Sequence, residues 1–328
     1  MRVLHVLAGQ SMGWSGGIAA TLESLSRSRL GEWVSFACVG RTDARQRIQS
    51  WRPHLIVLHR ASSWRGLADL VALAGPRRVL IEHHYSRGFE QHQVPSKQRF
   101  RSMLRLTYRA MDRVVAVSEG QRQWLREARL VGDSRLRLIR SSRDVEPFLA
   151  VPLPAPAPTP LRLVAFGRLN EQKGFDLLIE AVRQLPAGSV QLRLGGEGPL
   201  RSSLEKQAGS DPAIQLVGRV DDVPGFLSQA DAVAIPSRWE PWGNVCLEAR
   251  AAARPILVRA VDGLQEQALG CGLEVKSDEP SAWAAAIAAM AAAGDERRLA
   301  WARHGRATAA SAWHDFVSAW ETLLEEFR

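Results

Sequence analysis

The 328-residue sequence holds only three cysteines, Cys38, Cys246 and Cys271, which are odd in number, widely separated and never in CxxC spacing. That excludes the usual zinc and thiol-redox motifs and favours a reducing compartment. No run of about 20 uninterrupted apolar residues is present, so no membrane-spanning helix is expected. The opening MRVLHVLAGQ runs into a Gly/Ser loop without the cleavage pattern of a secretory leader, which reads as a buried first strand of a cytoplasmic protein. Lysine occurs only at positions 97, 173, 206 and 276, so the net charge of +9 is almost wholly arginine. Arginine's planar fork suits bidentate contact with phosphate, and the balance points to phosphorylated ligands, anionic lipid or nucleic acid. No GxGxxG follows the first strand, where the glycines read GQSMGWSGG, which disfavours a dehydrogenase. No Asp-x-Asp stands at a strand end, and no short repeat or low-complexity tail is present.

What is present is a repeated alternation. Apolar, β-branched runs recur at 2–8, 33–39, 54–59, 77–82, 113–118 and 136–140, separated by helical patterns, as expected of βαβ units in a parallel sheet. LAVPLPAPAPTP then interrupts both helix and strand with five prolines. A second series follows at 161–167, 190–196, 214–218, 231–236, 255–260 and 272–275. The expectation is an α/β protein of two Rossmann-like, doubly wound domains: 1–150, a linker over 151–160, 161–310, and a helix over 311–328 that returns towards the first domain. The alanine-rich SAWAAAIAAMAAAG is apolar on every face and reads as a helix packed in the second domain.

Doubly wound sheets bind ligands at the carboxyl ends of their strands. After LRLVAFG, Gly167 and Arg168 lead to Lys173 and a glycine-marked helix start, two cations suited to a diphosphate or simply a surface loop. GGEGPL, with Gly196 and Glu197, lets backbone approach a ligand or makes a turn. Arg219 and Val220 follow the next strand, in reach of a nucleotide base or in an ordinary connection. In PSRWEPWGNVCLEA, Glu240 lies in the loop and Glu248 eight positions on in a helix, with Gly243, Asn244 and Val245 at its start. One carboxylate can then accept from sugar hydroxyls and the other from a ribose diol, although acids at a helix start also suit the dipole.

These strings, in this order, resemble glycosyltransferase family 4, retaining enzymes of GT-B fold; SGGIAATLESL, PHLIVLH, LIEHH, AMDRVVAVSEG and LIRSSRDVEPF extend the likeness through the first half. The resemblance implies two Rossmann-like domains facing each other across a cleft. It also implies transfer of a sugar from a nucleotide-diphosphate donor, UDP- or GDP-linked, to a hydroxyl of a glycan, glycolipid or small acceptor, with no cofactor and no metal. Arg168 and Lys173 would bind the diphosphate, Glu240 the sugar, Glu248 the ribose, and the N–H groups around Gly243, Asn244 and Val245 the sugar or phosphate. Gly16 and Gly17 would form the first-domain loop facing the donor, and His83 the strand-end histidine near the sugar, with His84 one register away. Two departures stand out: Pro241-Trp242 replaces the usual Gly-Phe, and Ser141-Ser142 the usual Asn-Gly. Other GT-B chemistry, such as a sugar phosphorylase or an epimerase, and a silent sugar-nucleotide binder are the alternatives. Lys97–Arg113, with Phe100, Met103, Leu104 and Tyr108 among six cations, reads either as a structural helix leading into the next strand or as a basic amphipathic helix on anionic membrane at the inner face. The dispersed arginines carry no nucleic-acid recognition motif.

Overall fold

The computed structural model describes residues 1–7, 17–72, 75–156 and 160–328. Two compact units result, one of residues 1–144 with 313–328 and one of residues 145–312. The first is built on β1 (Arg2–Leu7), β2 (Ser35–Gly40), β3 (Leu55–His59), β4 (Arg77–Glu82), β5 (Arg113–Ala116) and β6 (Leu136–Leu138). They form one parallel sheet in the order β2-β1-β3-β4-β5-β6. The second unit carries β7 (Leu161–Phe166), β8 (Val190–Gly195), β9 (Ile214–Gly218), β10 (Ala232–Ile235), β11 (Ile256–Arg259) and β12 (Gly272–Val275), in the parallel order β12-β11-β10-β7-β8-β9. Every apolar run read from the sequence is a strand. Helices cover both faces of each sheet, so the central strands are buried on both sides and are mostly apolar rather than alternating, His5 and His59 being buried polar exceptions.

The passage between the units differs from the proline-based expectation. Val145, Phe148 and Val151, around the short helix Glu146–Leu149, are buried in the core of the second unit. The second unit therefore claims the chain seven residues before the first linker proline, because a buried Phe148 outweighs the loop character that follows it. Residues 157–159 of the expected linker lie outside the described residues.

The carboxy-terminal helix Ala312–Glu325 buries Phe316, Val317, Trp320, Leu323 and Leu324, and all of its length from Trp313 belongs to the first unit. Arg29 pairs with Glu321, and Arg113 and Arg137 both pair with Glu326 beyond its end. Helix Pro280–Ala292 buries one face, Trp283, Ala284, Ile287 and Met290. As expected it packs in the second unit; of its other alanines, Ala285, Ala288, Ala289 and Ala292 face solvent, while Ala282, Ala286 and Ala291 are partly buried against the core. Alanine is tolerated there because it is the strongest helix former and exposes little apolar surface.

The helix Lys97–Arg109 is the structural helix of the two readings given for that segment. Met103, Leu104 and Tyr108 are buried in the core of the first unit and Phe100 packs against it. The apolar face that would enter a membrane is already used. Among the described residues no helix is long and apolar enough to cross a membrane.

Candidate active site

In the second unit the chain winds outward from β7 through β8 to β9, then returns to the other side of β7 as β10. The loops after β7 and β10 therefore flank the point where strand order reverses, the place where parallel sheets hold ligands. Both loops are stapled together. Arg238 N donates to Gln172 O at 2.8 Å, Gln172 Nε2 donates to Trp239 O at 3.0 Å, and the Arg238 guanidinium grips Asp176 with two bonds of 3.0 and 2.6 Å.

At their meeting lie the two residues that the sequence separated by 67 positions, Lys173 and Glu240, in direct ion-paired contact. Ser237 Oγ donates to the same carboxylate oxygen at 3.1 Å. Asp262 accepts from Glu240 N at 3.0 Å, and Gly263 N donates to Glu240 O at 3.1 Å, so main chain and side chain of Glu240 are both fixed. Asp262 holds this position with φ +43°, a left-handed conformation that a non-glycine residue adopts at a cost, and such strain concentrates at functional loops. Lys173, expected to bind a diphosphate, is here neutralised by Glu240. Arg168 is exposed and has no protein partner among the described residues.

Gly243 precedes helix Asn244–Ala251 with φ +93°, and a Cβ there would stand 2.7 Å from Leu264 Cδ2 and 3.0 Å from Glu240 Cγ. Only glycine fits. No side chain caps the helix, so the Asn244 and Val245 N–H groups have no acceptor among the described residues. Glu248 lies one turn further in and is buried. Three polar atoms in these loops, Asn170 Oδ1, Trp242 Nε1 and Asn244 Oδ1, are buried without a partner. Each unmade bond costs about 1–3 kcal/mol, and their concentration here marks a surface shaped for a polar ligand.

Gly167 and Gly196 belong to the same place. Gly196 sits at φ +137°, where a Cβ would come within 1.8 Å of Gly167 O, so the loops after β7 and β8 touch main chain to main chain. The Val220 side chain covers the end of β8, 2.5 Å from where Gly195 would carry a Cβ. Two sequence candidates turn elsewhere: Glu197 pairs with Arg201 at the start of the helix that follows it, and Arg219 pairs at 2.7 Å with Asp221, both largely exposed. Among the described residues neither pairs with Lys173 or Glu240.

The first unit has its own reversal point, between β1 and β3. Gly16 lies outside the described residues, and Gly17 opens helix Gly17–Ser26. His83, just beyond β4, is the outer member of a ladder of imidazoles. His5 Nδ1 and His59 Nε2 are 2.8 Å apart, and His59 Nδ1 and His83 Nε2 are 2.9 Å apart, so the ladder crosses β1, β3 and the end of β4. Burial pushes His5 and His83 down to about 3 and His59 well below the ordinary imidazole value, His59 being further depressed by its histidine neighbours. All three are neutral bases.

The turn carrying His83 is clamped from below. Glu82, fully buried, accepts from His84 N and Tyr85 N at 3.0 Å each and from Tyr108 Oη at 2.7 Å. Burial raises its carboxyl to about 7 against the opposing pull of those three donors. Gln121 Nε2 donates to Glu82 O at 2.8 Å and Tyr85 O at 2.6 Å. Sequence reasoning found His83 and missed His5, His59, Glu82, Gln121, Ser237, Asp262 and Asn170. His5 and His59 left a trace, each a polar break in an otherwise apolar strand, RVLHVL and LIVLH.

Comparison with known proteins follows the division into halves. Residues 160–293 match the family model described as glycosyl transferases group 1, and residues 27–146 match the model of glycosyltransferase family 4. The lipopolysaccharide core biosynthesis glycosyltransferase LpsE of Rhizobium meliloti is 39% identical over 106 residues, 31% of each chain. A GDP-mannose-dependent alpha-(1-6)-phosphatidylinositol dimannoside mannosyltransferase of Mycobacterium tuberculosis is 33% identical over 150 residues, covering 44% of this chain and 39% of its own. The matches thus span about a third to two fifths of these relatives' lengths. Anabaena HepE, solved with UDP and glucose, superposes with a TM-score of 0.76 at 18% identity, covering 98% of both chains. Sucrose-phosphate synthase from Thermosynechococcus elongatus gives 0.78 at 20% identity over 99% of both. At that identity the likeness is one of fold, the two-domain GT-B architecture.

Proposed function

From a chain that belongs in both halves to the group 1, family 4 glycosyltransferases, we propose the transfer of a sugar from a UDP- or GDP-linked donor to a hydroxyl acceptor in surface polysaccharide, lipopolysaccharide or glycolipid synthesis, with retention at the anomeric carbon and without a bound metal. The observation that carries the proposal is the Lys173–Glu240 pair at the β7/β10 reversal, beside the unengaged Arg168 and the open N–H groups of Asn244 and Val245. Cleaving a sugar from a nucleoside diphosphate leaves charge on the departing phosphate oxygen. Arg168, Lys173 and two oriented N–H groups are suited to stabilise it without a metal cation or a strong protein base. In the same site Glu240 holds the sugar hydroxyls and the buried Glu248 the ribose diol.

The test is nucleotide binding followed by turnover. UDP or GDP at 100 times its dissociation constant stabilises the binding unit by about 2.7 kcal/mol, which is expected to raise its melting transition by roughly 5–10 °C. No response to any nucleotide overturns the proposal. Phosphorolysis without a nucleotide sugar would favour a phosphorylase, and binding without turnover a silent partner.

Membrane contact follows the same reading, in a form the buried helix restricts. Arg99 and Arg109 face outward from Lys97–Arg109 with one half-exposed leucine, Leu106, so the face offers charge and almost no insertable surface. Flotation with anionic vesicles is expected at low salt and is lost when salt is raised. Flotation that survives high salt would demand apolar insertion and refute the electrostatic mode.

A further inference from the structure

A neutral imidazole carries one N–H, so a ladder of three neutral rings with both bonds made has only two proton arrangements. In one, His5 Nδ1–H donates to His59, His59 Nδ1–H donates to His83 Nε2, and the proton left over sits on His83 Nδ1. In the other, every proton is reversed, and the surplus N–H sits on His5 Nε2.

The inner end distinguishes them. His5 is fully buried, its ring lies 5.6 Å from Trp320 and 5.7 Å from Phe36, and its Nε2 has no partner. Trp320 Nε1 is likewise buried and unpartnered, and indole can only donate. The reversed arrangement would bury two unpartnered donors on touching rings. The first leaves a donor beside an acceptor. Orphaned N–H groups are also the rarer defect in protein interiors.

We propose that His5 and His59 are positioning residues that hold His83 as the Nδ1–H tautomer, so that His83 offers a hydrogen-bond donor to a sugar hydroxyl reaching the first unit and does not act as a base. The role at the sugar rests on the proposed transfer; the tautomer does not. Nε2 of His83 is occupied by His59, so only Nδ1 remains for a ligand. The ladder is not a proton wire, because its inner end is closed by aromatic rings. The groups facing it are His84, whose ring meets His83 edge-on at 6.4 Å, together with Phe36 and Trp320; among the described residues no carboxylate, lysine or arginine acts on the three rings. Two buried devices converge on one residue, the ladder fixing its ring and Glu82 with Gln121 fixing the turn that follows.

Long-range ¹H–¹⁵N correlation spectra of the full chain labelled at its eight histidines read the tautomers without any substrate. His83, His59 and His5 are each expected to show a protonated Nδ1 and a bare Nε2, unchanged as pH falls from 7.5 to about 5. A protonated Nε2 on His83, or an imidazolium near neutral pH, overturns the inference. His59→Phe is expected to release His83 into mixed tautomers and to lower kcat about tenfold with donor KM little changed. Should that variant fold poorly, His5→Phe, next to rings of its own kind, is expected to loosen the tautomers of His59 and His83 in the same spectra, and unchanged tautomers there would count against the ladder. Absence of all transfer activity would sink the function but leave the tautomer result standing, whereas full activity with an Nε2–H His83 would sink the ladder alone.

Discussion

Lys173→Ala is expected to lower kcat/KM with a nucleotide sugar by about 10²–10³, equivalent to roughly 2.7–4 kcal/mol of transition-state stabilisation. The reason in the reaction is charge: Lys173 with Arg168 would neutralise the diphosphate as its bond to the sugar breaks. The structure adds a second reason, since removing the ammonium leaves Glu240 buried without its cation, held only by Ser237. A buried carboxylate stripped of its partner is costly and prone to take up a proton. The two causes separate in a cycle with Glu240→Gln. If Lys173 acts only by orienting Glu240, the double variant is no slower than Glu240→Gln alone, and UDP or GDP binds Lys173→Ala as well as wild type. If it touches phosphate, the double variant loses at least a further tenfold and nucleotide affinity falls with it. Near-wild-type turnover of Lys173→Ala removes the diphosphate role altogether.

The fold was almost wholly legible because parallel strands buried on both faces must be mostly apolar, and twelve such runs stand out against arginine-rich helices. The candidate site was singled out where the family resemblance decided what chemistry and spacing left open: Arg168, Lys173, Gly196, Glu240, Gly243. What could not be read was the state of those groups. Two residues assigned to different parts of a donor turned out to neutralise each other, since a pairing across 67 positions depends on which loops a sheet brings together. Asp262 was invisible for the same reason, supplying an acceptor to a main-chain N–H that no motif announces. Helix Lys97–Arg109 shows an ambiguity of another kind. Its amphipathic pattern was real, but a pattern names an apolar face without saying whether the protein's own sheet or a membrane covers it.

Below pH 6.5 the first unit is expected to lose stability steeply, by about 2.7 kcal/mol per pH unit down to about 4.5. In that window the unfolded chain protonates His5, His59 and His83, whose folded pKa values lie below the ordinary 6.5, while the fold keeps them neutral. Their contribution is therefore complete above 6.5 and is lost as pH falls. Glu82 opposes them: its folded value near 7 lies above the ordinary 4.5, so the fold holds a proton the unfolded chain releases, and its contribution is complete below 4.5 and is lost as pH rises. His84, lowered by burial as well, adds to the same side, so the three ladder protons against one leave a net uptake of at least two on unfolding. Glu90 and Asp112, held low by Arg101 and by Arg77 with the Arg78 main chain, act below the window and do not disturb it. Over two pH units the loss approaches 5 kcal/mol, the whole stability of a marginal domain. Amide exchange in β1, β3 and β4 measures it in the intact chain, free of the second unit. His5→Phe should halve the slope, and Glu82→Gln should steepen it by about half, since the opposing proton is gone. A flat profile between pH 6.5 and 4.5, or equal slopes in wild type and His5→Phe, would mean that the imidazole ladder is not neutral in the fold, and with that the tautomer assigned to His83 would fall as well.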